Sequence, residues 1–144
     1  MSRQRLFLDA NILVTVLCNE YPRFGACARV LSLADDRRFE VYTSPLCLAI
    51  SAFYAGKKSG KKAARDKIAL LASKLKITTS GASAVEWTLA RPEIIDIEDG
   101  FQHYSALEAG CTTVVTNDRR GWKFAGMEVM DPESYLIKYA VPKR

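Results

Sequence analysis

The chain has 144 residues, 49% hydrophobic and 26% charged, with a formal net charge of +5. That balance belongs to an ordinary globular protein of about one domain and excludes disordered and fibrous classes. No apolar stretch approaches the ~20 residues of a membrane span and "MSRQRLFLDA" has no cleavable signal pattern, so we expect a cytoplasmic single domain over residues 1–144 with no membrane partner.

Residues 5–9 read as a buried strand, with a helix starting just after Asp9. In "RFGACARVLSLADD" Cys27, Val30, Leu31 and Ala34 recur at helical spacing, which predicts an amphipathic helix. "FEVYT" is a strand, and Ser44 with Pro45 forms an N-cap and first-turn pair for a helix through "PLCLAISAFYAG". A basic turn follows, then an apolar face on Ile68, Leu71, Ala72 and Leu75, a short strand "KITT" and a helix "ASAVEWTLA". "DIEDGFQHYSALEAG" is a helix begun by acids and closed by Gly110. "TTVVT" is a β-branched strand running into "NDRRGW", "MEVM" a final strand, and "PESYLIKYA" a last helix. Alternating strands and helices imply βαβ units and a three-layer α/β/α fold on a central, mainly parallel sheet.

Charge is unevenly spread. Residues 1–72 hold 12 basic and 6 acidic side chains, whereas residues 73–144 hold 9 and 10. The excess peaks in "KKSGKKAARDK", where Lys58 and Lys62 are candidate phosphate contacts if the segment is more than a solvated helix face. The four cysteines have no C-x-x-C spacing, which argues against zinc and for buried thiols. His103 is the only histidine, so nucleophilic triads have little to build on.

Chemistry in parallel α/β folds lies beyond the carboxyl ends of the strands. Asp9 stands at the end of the first strand, Asp118 just past "TTVVT", and Asp96 and Asp99 open the helix feeding that strand. Carboxylates gathered on one rim repel one another unless a cation neutralises them, and oxygen ligands without His or Cys select Mg²⁺ or Mn²⁺. Each acid also has a local explanation: Asp9 as a helix cap, Asp96 and Asp99 as a near capping box, Asp118 as a turn residue.

"LFLDANILV", "DIEDGFQHYSALEAG" and "VVTNDRRGW", in that order, resemble the acidic motifs of a PIN domain, the nuclease domain of VapC-type toxins, and "VMDPESYL" resembles the usual ending of those chains. The resemblance implies that Asp9, Asp99 and Asp118 are catalytic, metal-binding acids with Asp96 beside them, and that Asn11 and Thr116 support them. It further implies Mg²⁺- or Mn²⁺-dependent hydrolysis of single-stranded RNA, with a small antitoxin and a second copy of the chain as protein partners.

One departure stands out. The glutamate usual in the helix after the second strand is missing: Ile50 stands at that place, and Ser51 is the nearest side-chain oxygen. A ligand fewer weakens metal affinity, so a degenerate PIN domain that binds RNA or protein without cutting is the alternative. A haloacid-dehalogenase-type phosphatase is a weaker one, because it needs a second acid where this chain has Asn11. Arg119 and Arg120 are candidate phosphate contacts beside Asp118. His103 is expected to be a local partner of Asp99 or a surface residue, and Trp87 and Trp122 to be core.

Overall fold

A computed structural model describes residues 3–141. Its centre is β1 (Gln4–Leu8), whose Leu6, Phe7 and Leu8 are wholly buried. Both edges of β1 are paired in parallel, to β2 (Phe39–Thr43) and to β4 (Thr113–Val115). With β3 (Lys76–Ile77) and β5 (Glu128–Met130) added, the sheet is all parallel in the order β3-β2-β1-β4-β5. A strand covered on both faces reads as a continuous apolar run, which is why "LFL" shows no alternation.

Helices fill every crossover but the last. α1 (Ala10–Leu17) and α2 (Phe24–Ser32) join β1 to β2, α3 (Pro45–Ser59) and α4 (Lys61–Lys74) join β2 to β3, and α5 (Ala82–Leu89) and α6 (Ile97–Glu108) join β3 to β4. A short 3₁₀ turn, Arg120–Trp122, leads to β5, and α7 (Pro132–Tyr135) runs on into a π-helical turn over Leu136–Ala140. The result is the expected α/β/α arrangement. Because the chain turns one way from β1 to β2 and the other way to β4, the strand order reverses at β1, and its carboxyl end opens on a crevice.

Local signals account for most boundaries. Ser44 accepts the Cys47 N–H at 3.0 Å with Pro45 in the first turn. β1 stops at Leu8, one residue short of the expected end, because Asp9 has turned to cap α1. The basic segment is not a loop: Lys57 and Lys58 lie in the last turn of α3, Lys61 and Lys62 in the first of α4, and Gly60 alone makes the joint at φ 89°. All four cysteines are buried and free. Trp122 is core at 3% exposed, but Trp87 is not: it is 46% exposed and tilts against Tyr104 on the outer face of α5 and α6. Among the described residues no helix is long and apolar enough to cross a membrane.

Candidate active site

Asp9 is 5% exposed, at the switch point of the sheet. Its backbone N–H donates to Val115 O at 3.0 Å, which ties it to β4. One carboxylate oxygen accepts the N–H of Ala10 at 2.8 Å, the other the hydroxyl of Thr116 at 2.9 Å. A capping carboxylate ordinarily reaches the second or third N–H of its helix, as Ser44 does on α3; Asp9 takes only the adjacent one. Capping α1 therefore does not explain why a carboxylate is buried here.

Thr116 is the hub of this corner. Its oxygen accepts from Asn11 Nδ2 at 3.0 Å and from the Asp118 N–H at 3.2 Å. With both lone pairs engaged, its single proton goes to the nearer acceptor, Asp9 at 2.9 Å, over the Asp118 carbonyl at 3.3 Å. Asn11 is fixed in turn by accepting the Asn117 N–H at 3.0 Å. Burial pushes the Asp9 carboxyl above its ordinary range; Thr116, Ala10 and the Trp122 indole oppose this, and Asp96 reinforces it. The indole N–H favours ionised Asp9 by its nearness while completing no hydrogen bond of good geometry.

Asp96 and Asp99 reach the same crevice from the start of α6. Asp96 has the backbone position of an N-cap, but its side chain caps nothing, so the near capping box does not form. Asp99 is half-buried, and its carboxyl is pushed up to about 8, first by burial and then by the charges of Asp9, Asp96 and Glu98. Glu98 is raised as well, by burial and then by Asp96 and Asp9. Asp9, Glu98 and Asp99 are thus all raised, each by burial first and then by the charge of neighbouring acids.

Asp118 behaves differently. It is drawn to Arg120, whose backbone N–H and Nε both lie 3.1 Å from Oδ1, and this pairing lowers its pKa. Asp118 nevertheless lines the same cleft of about 520 Å³ as Asp9, Asn11, Asp96, Asp99 and Ile50. Among the described residues no three His, Cys, Asp or Glu side chains are grouped tightly enough, as they stand, to hold one metal ion.

Two residues of this site escape a reading by motif. Glu98 sits between Asp96 and Asp99, where its charge alone was the available signal. Gly121 has none, because its role is steric: a Cβ there would collide with Asp99 Oδ2. Other expectations need correcting. His103 is neither a surface residue nor paired to Asp99; it is buried edge-on to Tyr104 and Phe124, its Nε2 accepts the Gly126 N–H at 3.1 Å, and burial lowers its pKa. Lys58 is partly committed, since its ammonium donates to Cys18 O beside the C-terminus of α1, while Lys67 reaches Leu17 O at 3.3 Å. Lys62 and Arg119 are exposed.

With this geometry in place, comparison with known proteins gives the lineage. The profile of the PIN domain matches residues 5–120. The chain belongs to the PIN domain family. Over 143 residues it is 24% identical to Ribonuclease VapC1 of Aquifex aeolicus, covering 96% of this chain and 98% of that one. Among solved structures, VapBC2 from Rickettsia felis bound to a DNA fragment from their promoter superposes with TM-score 0.67 at 18% identity, over 89% of this chain and 98% of that chain. The VapC20 toxin of Mycobacterium tuberculosis, which cleaves the sarcin-ricin loop, does so with TM-score 0.65 at 18% identity, over 85% and 95%. Membership of the PIN family sets the phosphatase alternative aside. It also makes the crevice at the end of β1 the place to look for this chain's chemistry.

Proposed function

We propose that this PIN domain is an endoribonuclease that hydrolyses single-stranded RNA with Mg²⁺ or Mn²⁺ and acts as the toxin of a toxin-antitoxin pair. One observation carries the reading: Asp9, Asp96, Glu98 and Asp99 line one cleft at the carboxyl end of the central strand, and burial with one another's charge raises the pKa of Asp9, Glu98 and Asp99. An all-oxygen donor set in which burial and like charge raise Asp9 and Asp99 fits a hard divalent cation. Asp9, Asp99 and Asp96 would hold it, and Asp118 would join them on exchanging Arg120 for the ion. When bound, such an ion activates water and neutralises charge on the phosphodiester.

The chain's own residues supply the rest. Thr116 favours the ionised form of Asp9 and aims it through its one proton, and Asn11 holds Thr116 in that role. Gly121 leaves room for the Asp99 carboxylate. Lys62 and Arg119, with the free protons of Lys58 and with Arg120 once it leaves Asp118, would attract phosphates that the acids repel. The VapBC structures support a small antitoxin as partner, and a second copy of the chain is proposed as another.

The alternative, an RNA-binding PIN domain that does not cut, is favoured by an apolar side chain, Ile50, lining the cleft among the acids. Incubating the full chain with single-stranded RNA and Mn²⁺ separates the two. Cleavage that disappears in Asp9→Asn and Asp99→Asn supports the nuclease; RNA retained intact by the wild type supports the binding module.

A further inference from the structure

The cleft does not end at the acids. A second groove of about 390 Å³ continues from it, and Val14, Glu20 and Tyr54 line both. The far end of this groove is lined by Lys57 and Lys58. Along α3, Ile50 in the cleft, Tyr54 at the threshold and Lys57 and Lys58 beyond it are spaced by four, seven and eight residues, so they form one stripe on the helix. This stripe passes from apolar to aromatic to basic in the outward direction.

Tyr54 is 48% exposed, and its ring is held edge-on by Phe53, with centroids 5.3 Å apart at 79°. Phe53 is pinned in turn by Lys57, whose ammonium lies 4.6 Å from the ring centroid. An aromatic whose edge packs on a neighbouring ring while much of its surface stays open contributes little to a core, but it is suited to stacking a base. Lys58 spends one of its three ammonium protons on Cys18 O, which fixes the charge at the groove while leaving two protons free.

We propose that Tyr54 stacks a base of single-stranded RNA and that this groove carries the strand out of the acidic cleft toward Lys57 and Lys58. The proposal rests on reading the cleft as an RNA-cleaving site. Charge complementarity selects the occupant: the acids of the cleft, with Glu20 where the two cavities meet, repel a phosphate backbone, and Lys57 and Lys58 in the groove receive it. A duplex is excluded as the ligand because its bases are already stacked on one another and cannot lie on a tyrosine.

Affinity is measured on the full chain in EDTA with a single-stranded oligoribonucleotide carrying 2-aminopurine, beside a duplex of the same sequence. Tyr54→Leu is expected to weaken single-strand binding about 5- to 150-fold, the range for one base stacked on an aromatic, and to abolish the quenching of 2-aminopurine. Tyr54→Phe keeps both, and duplex binding is the same in all three proteins. Equal single-strand affinity of wild type and Tyr54→Leu overturns the proposal, as does an effect confined to capture of a protein partner. A wild type that binds single strands through Tyr54 yet cuts none in Mn²⁺ defeats the nuclease reading and leaves the track standing. A wild type that cuts normally with Tyr54→Leu binding unchanged does the reverse.

Discussion

Asp9 and Asp118 stand just beyond the ends of neighbouring strands, β1 and β4, and line one cleft, yet they are held in opposite ways. Asp9 is buried, bonded by a threonine hydroxyl and one amide, and crowded by other acids. Asp118 has a side chain 52% exposed and a guanidinium for a partner. In the first arrangement burial and like charges both oppose ionisation, which is why we propose a cation there. In the second the chain itself supplies a cationic partner, Arg120, which a metal would have to displace. Being at the right end of the sheet is therefore not enough to mark a carboxylate as needing metal; what distinguishes the two is the partner already present.

The sharpest way to break this contrast is to disturb the crowded corner without touching an acid. Gly121→Ala puts a methyl where the Asp99 carboxylate lies. Cleavage should fall about 100-fold, the scale of a misplaced catalytic group. The melting temperature should barely move, because Gly121 is exposed and its backbone is not in the left-handed region. Single-turnover RNA cleavage with calorimetry checks both, and undiminished cleavage would separate Asp99 from the chemistry.

Thr116→Val is the next largest. It removes the only side-chain hydrogen bond to Asp9 among the described residues and leaves Asn11 Nδ2 without its acceptor. About tenfold lower activity is expected from loss of a supporting hydrogen bond, with about 1.5–3 kcal/mol lower stability from losing a charge-assisted one. Thr116→Ser should recover most of both, as measured by urea denaturation and by rate. The smallest effect belongs to the other corner. Arg120→Gln frees Asp118 from an exposed ion pair, and such pairs contribute little, so the melting temperature should be unchanged. A marked loss of stability would show that the exposed corner is structural after all.

Much of this contrast was legible in the sequence and part was not. The apolar run into Asp9, the Ser44–Pro45 start of α3 and the β-branched run before Asp118 fix the strand ends through local rules, so the acids could be assigned to one rim. Side-chain partners follow from contacts distant in sequence, and these were hidden. Nothing local says that Lys58 turns back to Cys18, that Trp87 stays outside, or that His103 is buried against Phe124. Gly121 was the least legible, since its importance is the absence of an atom beside a residue from another helix. Asp118 is the instructive middle case. Its partner is only two residues away, yet "NDRRG" does not tell whether Arg120 pairs with the acid or faces solvent.

The central proposal is that the corner of Asp9, Asp96 and Asp99 binds a divalent cation, and its electrostatics give that proposal a sign. Asp99 has a folded-state pKa raised to about 8 above the ordinary 3.8, so the metal-free fold binds the extra proton and loses stability as pH rises between those values. His103, lowered by burial, works in the opposite direction near pH 6.5, but it is common to wild type and variant and cancels in their difference. Melting temperatures of wild type and Asp99→Asn, in EDTA and in Mn²⁺, test this directly. In EDTA the variant should melt higher, by a margin that grows from about pH 4 to 8. Mn²⁺ at a hundredfold excess over Kd should stabilise the wild type by about 2.7 kcal/mol and the variant far less, inverting their order. A wild type that melts above Asp99→Asn in EDTA at pH 8, or equal stabilisation of both proteins by Mn²⁺, would contradict the account.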